Sequence, residues 1–128
     1  MTSSSSRDRP LVLLVEEETT ERAVLVDHLT GGGYRVVEAS DSDEALAALK
    51  SHKSVRAIVT DAHVPGKIDG FELAQLVRER WPDIATIMTS GHSDATSGPV
   101  PKGGEFIVKP YLLEHLLPTL DRLLHRAR

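Results

Sequence analysis

The sequence predicts an α/β fold in which one open parallel sheet of five strands is covered by helices on both faces. Three observations point there. Short β-prone apolar runs alternate with segments of helical period. The first of those runs, Leu11–Val15, is apolar at every position, which marks a strand buried on both sides. Stop residues such as Gly31-Gly32-Gly33 and Pro82 separate the segments.

The elements follow in order. Leu11–Val15 is the first strand. Thr19 to about Thr30 has a helical period, with Leu25, Val26 and Leu29 on one side, and the three glycines stop it. Tyr34–Glu38 is β-prone. Ser40 reads as an N-cap, with Asp43 three residues on, for a helix carrying Ala45, Leu46, Leu49 and His52. Arg56–Thr60 is a third strand. Asp69-Gly70-Phe71-Glu72 has the spacing of a capping box for a helix through Arg80, with Phe71, Ala74 and Val77 inward. Ile84–Thr89 and Glu105–Val108 are the last strands. Leu113, Leu116, Leu117, Leu120 and Leu124 mark a final amphipathic helix, which Pro118 should kink. Five strands alternating with helices in so short a chain imply a flavodoxin-like doubly wound sheet, order 2-1-3-4-5.

Composition narrows the function. The 128 residues suit one domain with one core, and no repeat, linker or second domain is visible. The net charge of −4 argues against direct nucleic-acid binding. No apolar run is long enough to span a membrane. With no cysteine there is no disulfide, thiolate zinc site or cysteine nucleophile. The six histidines show no zinc-binding spacing, and the glycine triplet follows a helix, the reverse of a dinucleotide loop. The polar start is expected to be a disordered tail over residues 1–9, with no signal peptide, and a cytoplasmic location is expected.

Chemistry collects at the strand ends. The first strand runs into Glu16-Glu17, the third ends in Thr60-Asp61, the fourth in Thr89-Ser90 and the fifth in Lys109-Pro110. In a doubly wound sheet, ligands bind outside the carboxyl ends of the strands, at the switch point between strands 1 and 3. Three carboxylates, a hydroxyl and an ammonium would therefore meet there. Crowded carboxylates need a cation or raised pKa values, and an all-oxygen set suits Mg²⁺.

These residues, in this order, resemble the receiver domain of bacterial two-component response regulators. The resemblance covers about residues 9–126, and a receiver domain is assigned to 10–128. It implies that Asp61, in TDAHVPGKIDG, is the phosphoacceptor. It implies that Glu16, Glu17, Asp61 and the backbone carbonyl of His63 hold Mg²⁺, directly or through water. Lys109 would pair with Asp61 and then with a phosphoryl oxygen. Ser90 would hydrogen-bond another, and Phe106 would be the aromatic that moves inward with it. The implied partners are a histidine kinase or histidine phosphotransfer protein and a downstream protein, with no direct nucleic-acid or membrane contact. The chain would be an acceptor, with no enzyme activity on other substrates.

Three departures stand out. Glu17 takes the place of the usual aspartate. The loop Pro65-Gly66-Lys67-Ile68-Asp69-Gly70 is one residue longer than usual. Residues 92–104, rich in proline and glycine, are expected to form a short or irregular fourth helix that orders on phosphorylation. His63 and His92, each two residues past a site residue, are candidates to tune phosphoryl access. The main alternative is a degenerate receiver that binds partners without phosphorylation. A small phosphohydrolase would need its aspartate after strand 1, and a flavodoxin-like electron carrier would need a hydroxyl-rich loop there.

Overall fold

The structure, a computed structural model, describes residues 9–90 and 103–126. Five strands, β1 (Leu11–Val15), β2 (Arg35–Ala39), β3 (Val55–Asp61), β4 (Ala85–Ser90) and β5 (Glu105–Val108), form one parallel sheet in the order β2-β1-β3-β4-β5. This is the expected flavodoxin-like order. The helices are α1 (Thr19–Gly31), α2 (Ser42–Ser51), α3 (Gly70–Arg80) and α4 (Leu112–Leu123), the last entered through a 3-10 turn at Lys109–Tyr111. The expected tail lies, but for Arg9, outside the described residues. The same holds for the expected irregular helix, but for residues 103 and 104. No helix among the described residues is long and apolar enough to cross a membrane.

The unbroken apolar run of β1 has its explanation in the packing. Side chains alternate across a strand. Val12 and Leu14 join a core with Leu25 and Leu29 of α1 and Leu116 and Leu120 of α4. Leu11, Leu13 and Val15 join a second core with Leu49 of α2 and Leu73 and Val77 of α3. Both faces are thus covered, and neither can carry a polar residue cheaply.

Local structure departs from the sequence expectation in a few places. The N-cap of α2 is Asp41, whose Oδ1 accepts from Glu44 N at 2.7 Å; Ser40 instead donates through its N and Oγ to Glu44 Oε1. His52 is the exposed C-cap residue of α2 and leaves the apolar side to Ala45 and Leu49. In α4 the buried stripe is Leu112, Leu116 and Leu120, in steps of four; Leu113, one position off that stripe, is 48% exposed. Pro118 lies inside α4, which runs as one helical element across it. Tyr34 precedes β2 and is buried. Its Oη donates to buried Asp121 Oδ1 at 2.5 Å, and the Arg126 guanidinium lies 4.6 Å from its ring centroid.

Candidate functional site

Strand register brings the site together. Val15 pairs with Thr60, Asp61 with Thr89, and Ser90 with Val108. The next residues out, Glu16 and Lys109, therefore stand at the same sheet edge as Asp61 and Ser90. Glu16 extends the pairing, since its N donates to Ala39 O at 3.0 Å. Glu16, Asp61 and Ser90 are all buried.

Lys109 is the centre of the charges. Its Nζ lies 2.5 Å from Asp61 Oδ2, 2.8 Å from Glu21 Oε2 and 3.7 Å from Glu16 Oε1. Burial works against its charge, but the hydrogen bonds to Asp61 and Glu21 and the charges of Asp61 and Glu16 outweigh that and raise its pKa. Glu16 moves the other way from an ordinary carboxylate. Burial pushes it up to about 7, against the lowering effect of the Glu18 N–H and Lys109.

Among the described residues, the carboxylates of Glu16, Glu21 and Asp61 offer oxygens that all lie within 4.8 Å of one another. An all-oxygen set that includes two buried carboxylates fits a hard divalent cation such as Mg²⁺. Two of the acids that the sequence singles out, Glu16 and Asp61, are in this cluster. Glu17 is exposed and is not brought into it; the chain leaves the sheet after Glu16, so the next side chain no longer follows the strand. Glu21 stands in the cluster instead, one helical turn further on. Its sequence signal is the spacing from Glu18, the N-cap, which puts Glu21 in the first turn of α1.

The backbone around the site is tightly held. His63 N donates to Asp61 Oδ1 at 2.9 Å, so the segment after the aspartate folds back on its carboxylate. The His63 ring is exposed and meets Phe71 edge-on at 6.4 Å between centroids. Gly70 opens α3 against this turn: its N donates to Ala62 O, and a Cβ there would lie 2.0 Å from Asp61 O. The long loop is seated on the start of α2. Ser42 N donates to Pro65 O at 2.9 Å, and Gly66, at φ +119°, packs where a Cβ would meet Ser42 Oγ. Arg22 ties down the other acidic loop, donating through Nη1 to Glu16 O at 2.8 Å and through Nε to Glu38 at 3.0 Å.

Phe106 is partly buried and packs against the cluster of Ala62, Phe71, Ala74 and Met88, paired with Met88 and one strand from Ser90. His92 lies outside the described residues. Beside Lys109 opens a groove of about 530 Å³ between α1 and the start of α4. It is lined by Val24 and Leu113, the exposed large hydrophobic residues among those described.

A family model for the response regulator receiver domain matches residues 12–121. The chain belongs to that family. It is 36% identical over 113 residues to the hydrogenase transcriptional regulatory protein HoxA of Cupriavidus necator, covering 85% of this chain and 23% of that protein. This receiver thus spans about a quarter of the length of the curated relatives it matches first. The receiver domain of NtrX from Brucella abortus superposes with a TM-score of 0.80 at 27% identity, covering 91% of this chain and 99% of that one. The response regulator TrrA from Thermotoga maritima, solved in complex with Mg²⁺-BeF, superposes at 0.79 with 26% identity, covering 88% of this chain and 97% of that one.

Proposed function

We propose that this receiver accepts a phosphoryl group on Asp61. The observation that carries the reading is the pairing of Asp61 with Lys109 beside Glu16, at the carboxyl edge of a sheet of the receiver family. In the reaction, an Asp61 carboxylate oxygen attacks phosphorus and an acyl phosphate forms. The bond from phosphorus to the donor breaks, and the donor group leaves with the electron pair. Lys109, already on Oδ2, is placed to follow the charge onto a phosphoryl oxygen. The His63 N–H holds the other carboxylate oxygen and orients the nucleophile. Ser90, one residue past the strand partner of Asp61, would donate its hydroxyl to a phosphoryl oxygen there.

Glu16 and Asp61 would hold Mg²⁺, which when bound offsets charge on the transferring group. The donor in this reading is the phosphohistidine of a kinase or phosphotransfer protein. Exposed Val24 and Leu113 beside Lys109 support a protein donor, since an apolar groove next to the reacting lysine suits a protein surface. Signalling would then pass to a downstream protein in the cytoplasm, with the chain acting as acceptor and not as a phosphohydrolase.

The test is intact-protein mass after incubation with acetyl phosphate and Mg²⁺. One alkali-labile phosphate is expected, and Asp61→Ala should take none. Phosphate on Ser90 or a histidine, with Asp61 dispensable, would overturn the reading. No phosphate from acetyl phosphate or from any histidine kinase would leave the chain a phosphorylation-independent module.

A further inference from the structure

We infer that Glu21 is a positioning residue for Lys109, fixing the ammonium from the α1 side while Asp61 holds it from β3. The inference rests on the reading of Asp61 as phosphoacceptor and deepens it.

Helix caps provide the argument. At α3 the capping box is complete: Glu72 N donates to Asp69, and the Glu72 carboxylate accepts back from Asp69 N at 3.2 Å. The start of α1 has the same spacing. Glu18 is the N-cap and accepts from Glu21 N at 2.7 Å, and Glu21 is the third helical residue. The return bond is the one that changes. The Glu21 carboxylate lies 2.8 Å from Lys109 Nζ, and Glu18 N donates instead to Glu16 Oε2 at 3.0 Å. Glu21 thus serves the ammonium in place of its own helix end, and Glu16 fills the position it leaves. The spacing is that of a capping box, but here the third-position carboxylate goes to the lysine.

Lysine is a point charge on a flexible stem, so one partner alone leaves it mobile. Two acceptors on different elements, with Glu16 Oε1 at 3.7 Å as a third charge, define where it sits. An ammonium placed in advance can follow the phosphoryl group without reorganisation.

The experiment compares initial rates of Asp61 phosphorylation by acetyl phosphate and by phosphoramidate, at saturating Mg²⁺. Glu21→Ala should slow both about three- to fivefold, the scale of a partly exposed ion pair. Glu21→Gln, whose amide oxygen still accepts from the ammonium, should restore most of the rate. In a Lys109→Ala background, Glu21→Ala should change nothing further. Rates at or above wild type with either donor, or equal losses with and without Lys109, would overturn the inference. A second readout needs no phosphate: the Lys109 ammonium protons, followed by NMR in the unphosphorylated protein, should exchange faster with water in Glu21→Ala and stay slow in Glu21→Gln. Unchanged exchange in Glu21→Ala would also overturn it. A wild-type protein that takes no phosphate defeats the proposed function, while the exchange measurement still decides the role of Glu21.

Discussion

Lys109 Nζ lies 2.5 Å from Asp61 Oδ2, joining residues 48 positions apart at the edge of the sheet. The pair neutralises one of three clustered carboxylates, so removing the cation exposes the repulsion. Lys109→Ala is expected to lower unfolding free energy by about 1–3 kcal/mol without Mg²⁺, between the values for exposed and buried pairs. Mg²⁺ should recover most of the loss. Urea denaturation of both proteins with and without the metal checks this; a deficit independent of Mg²⁺ would point to lost packing of the lysine stem.

Glu16 sets a pH window. Its carboxyl holds a proton more tightly folded, at about 7, than at its ordinary 4.5. The folded state therefore binds more protons between those values, and stability must fall as pH rises through them. The contribution is full below 4.5 and gone above about 7. Glu16→Gln should remove this slope, worth on the order of 3 kcal/mol. Denaturation midpoints across the window, in metal-free buffer, should show the variant gaining on wild type with rising pH.

Metal affinity should separate the two acids after β1. Glu16 is buried in the carboxylate cluster and Glu17 is exposed outside it. By calorimetry, Glu16→Gln should weaken Mg²⁺ binding about tenfold, the effect of roughly 1.4 kcal/mol. Glu17→Gln should stay within about threefold, the smaller effect of a screened surface charge. A larger loss from Glu17→Gln would place that side chain on the metal.

Tyr34 and Asp121 form a buried hydrogen bond that joins the entry of β2 to α4. Burial and the Asp121 carboxylate push the phenol up to about 12, so it stays a donor through neutral pH. Tyr34→Phe should cost about 1–3 kcal/mol by leaving the acceptor short of a donor. Phosphorylation of Asp61 should be unchanged, because Tyr34 precedes its strand and the site follows the strand ends. A change in phosphorylation rate with stability intact would contradict this.

Gly70 has no room for a side chain. A Cβ would lie 2.0 Å from Asp61 O and 2.7 Å from Ala62 Cα, both backbone atoms. Gly70→Ala should destabilise the fold by about 2 kcal/mol or more and reduce phosphorylation and Mg²⁺ affinity together. Gly31→Ala is the control, since its Cβ would meet nothing within 4 Å.

The pattern of the chain already carried the parallel sheet and the strand ends that bear chemistry, and the family resemblance carried the order of the strands. Parallel strands in a doubly wound sheet all end on one edge, so Asp61, Ser90, Lys109 and Glu16 are brought together by topology, without any spacing between them in the chain. The capping box at Asp69 and Glu72 was legible for a related reason: it is local, and its partners are three residues apart. That Glu21, and not Glu17, joins the carboxylates was settled by tertiary structure alone, because it depends on how the start of α1 is seated relative to Lys109. The same seating leaves α1 with half a capping box, since Glu18 N donates to Glu16 and not to Glu21. Leu112 and Leu113 are equally apolar, and the pose of α4 on the sheet chose which to bury. Sequence pattern reports period and chain order; the direction of a side chain at a helix end is set by what the neighbouring element offers it.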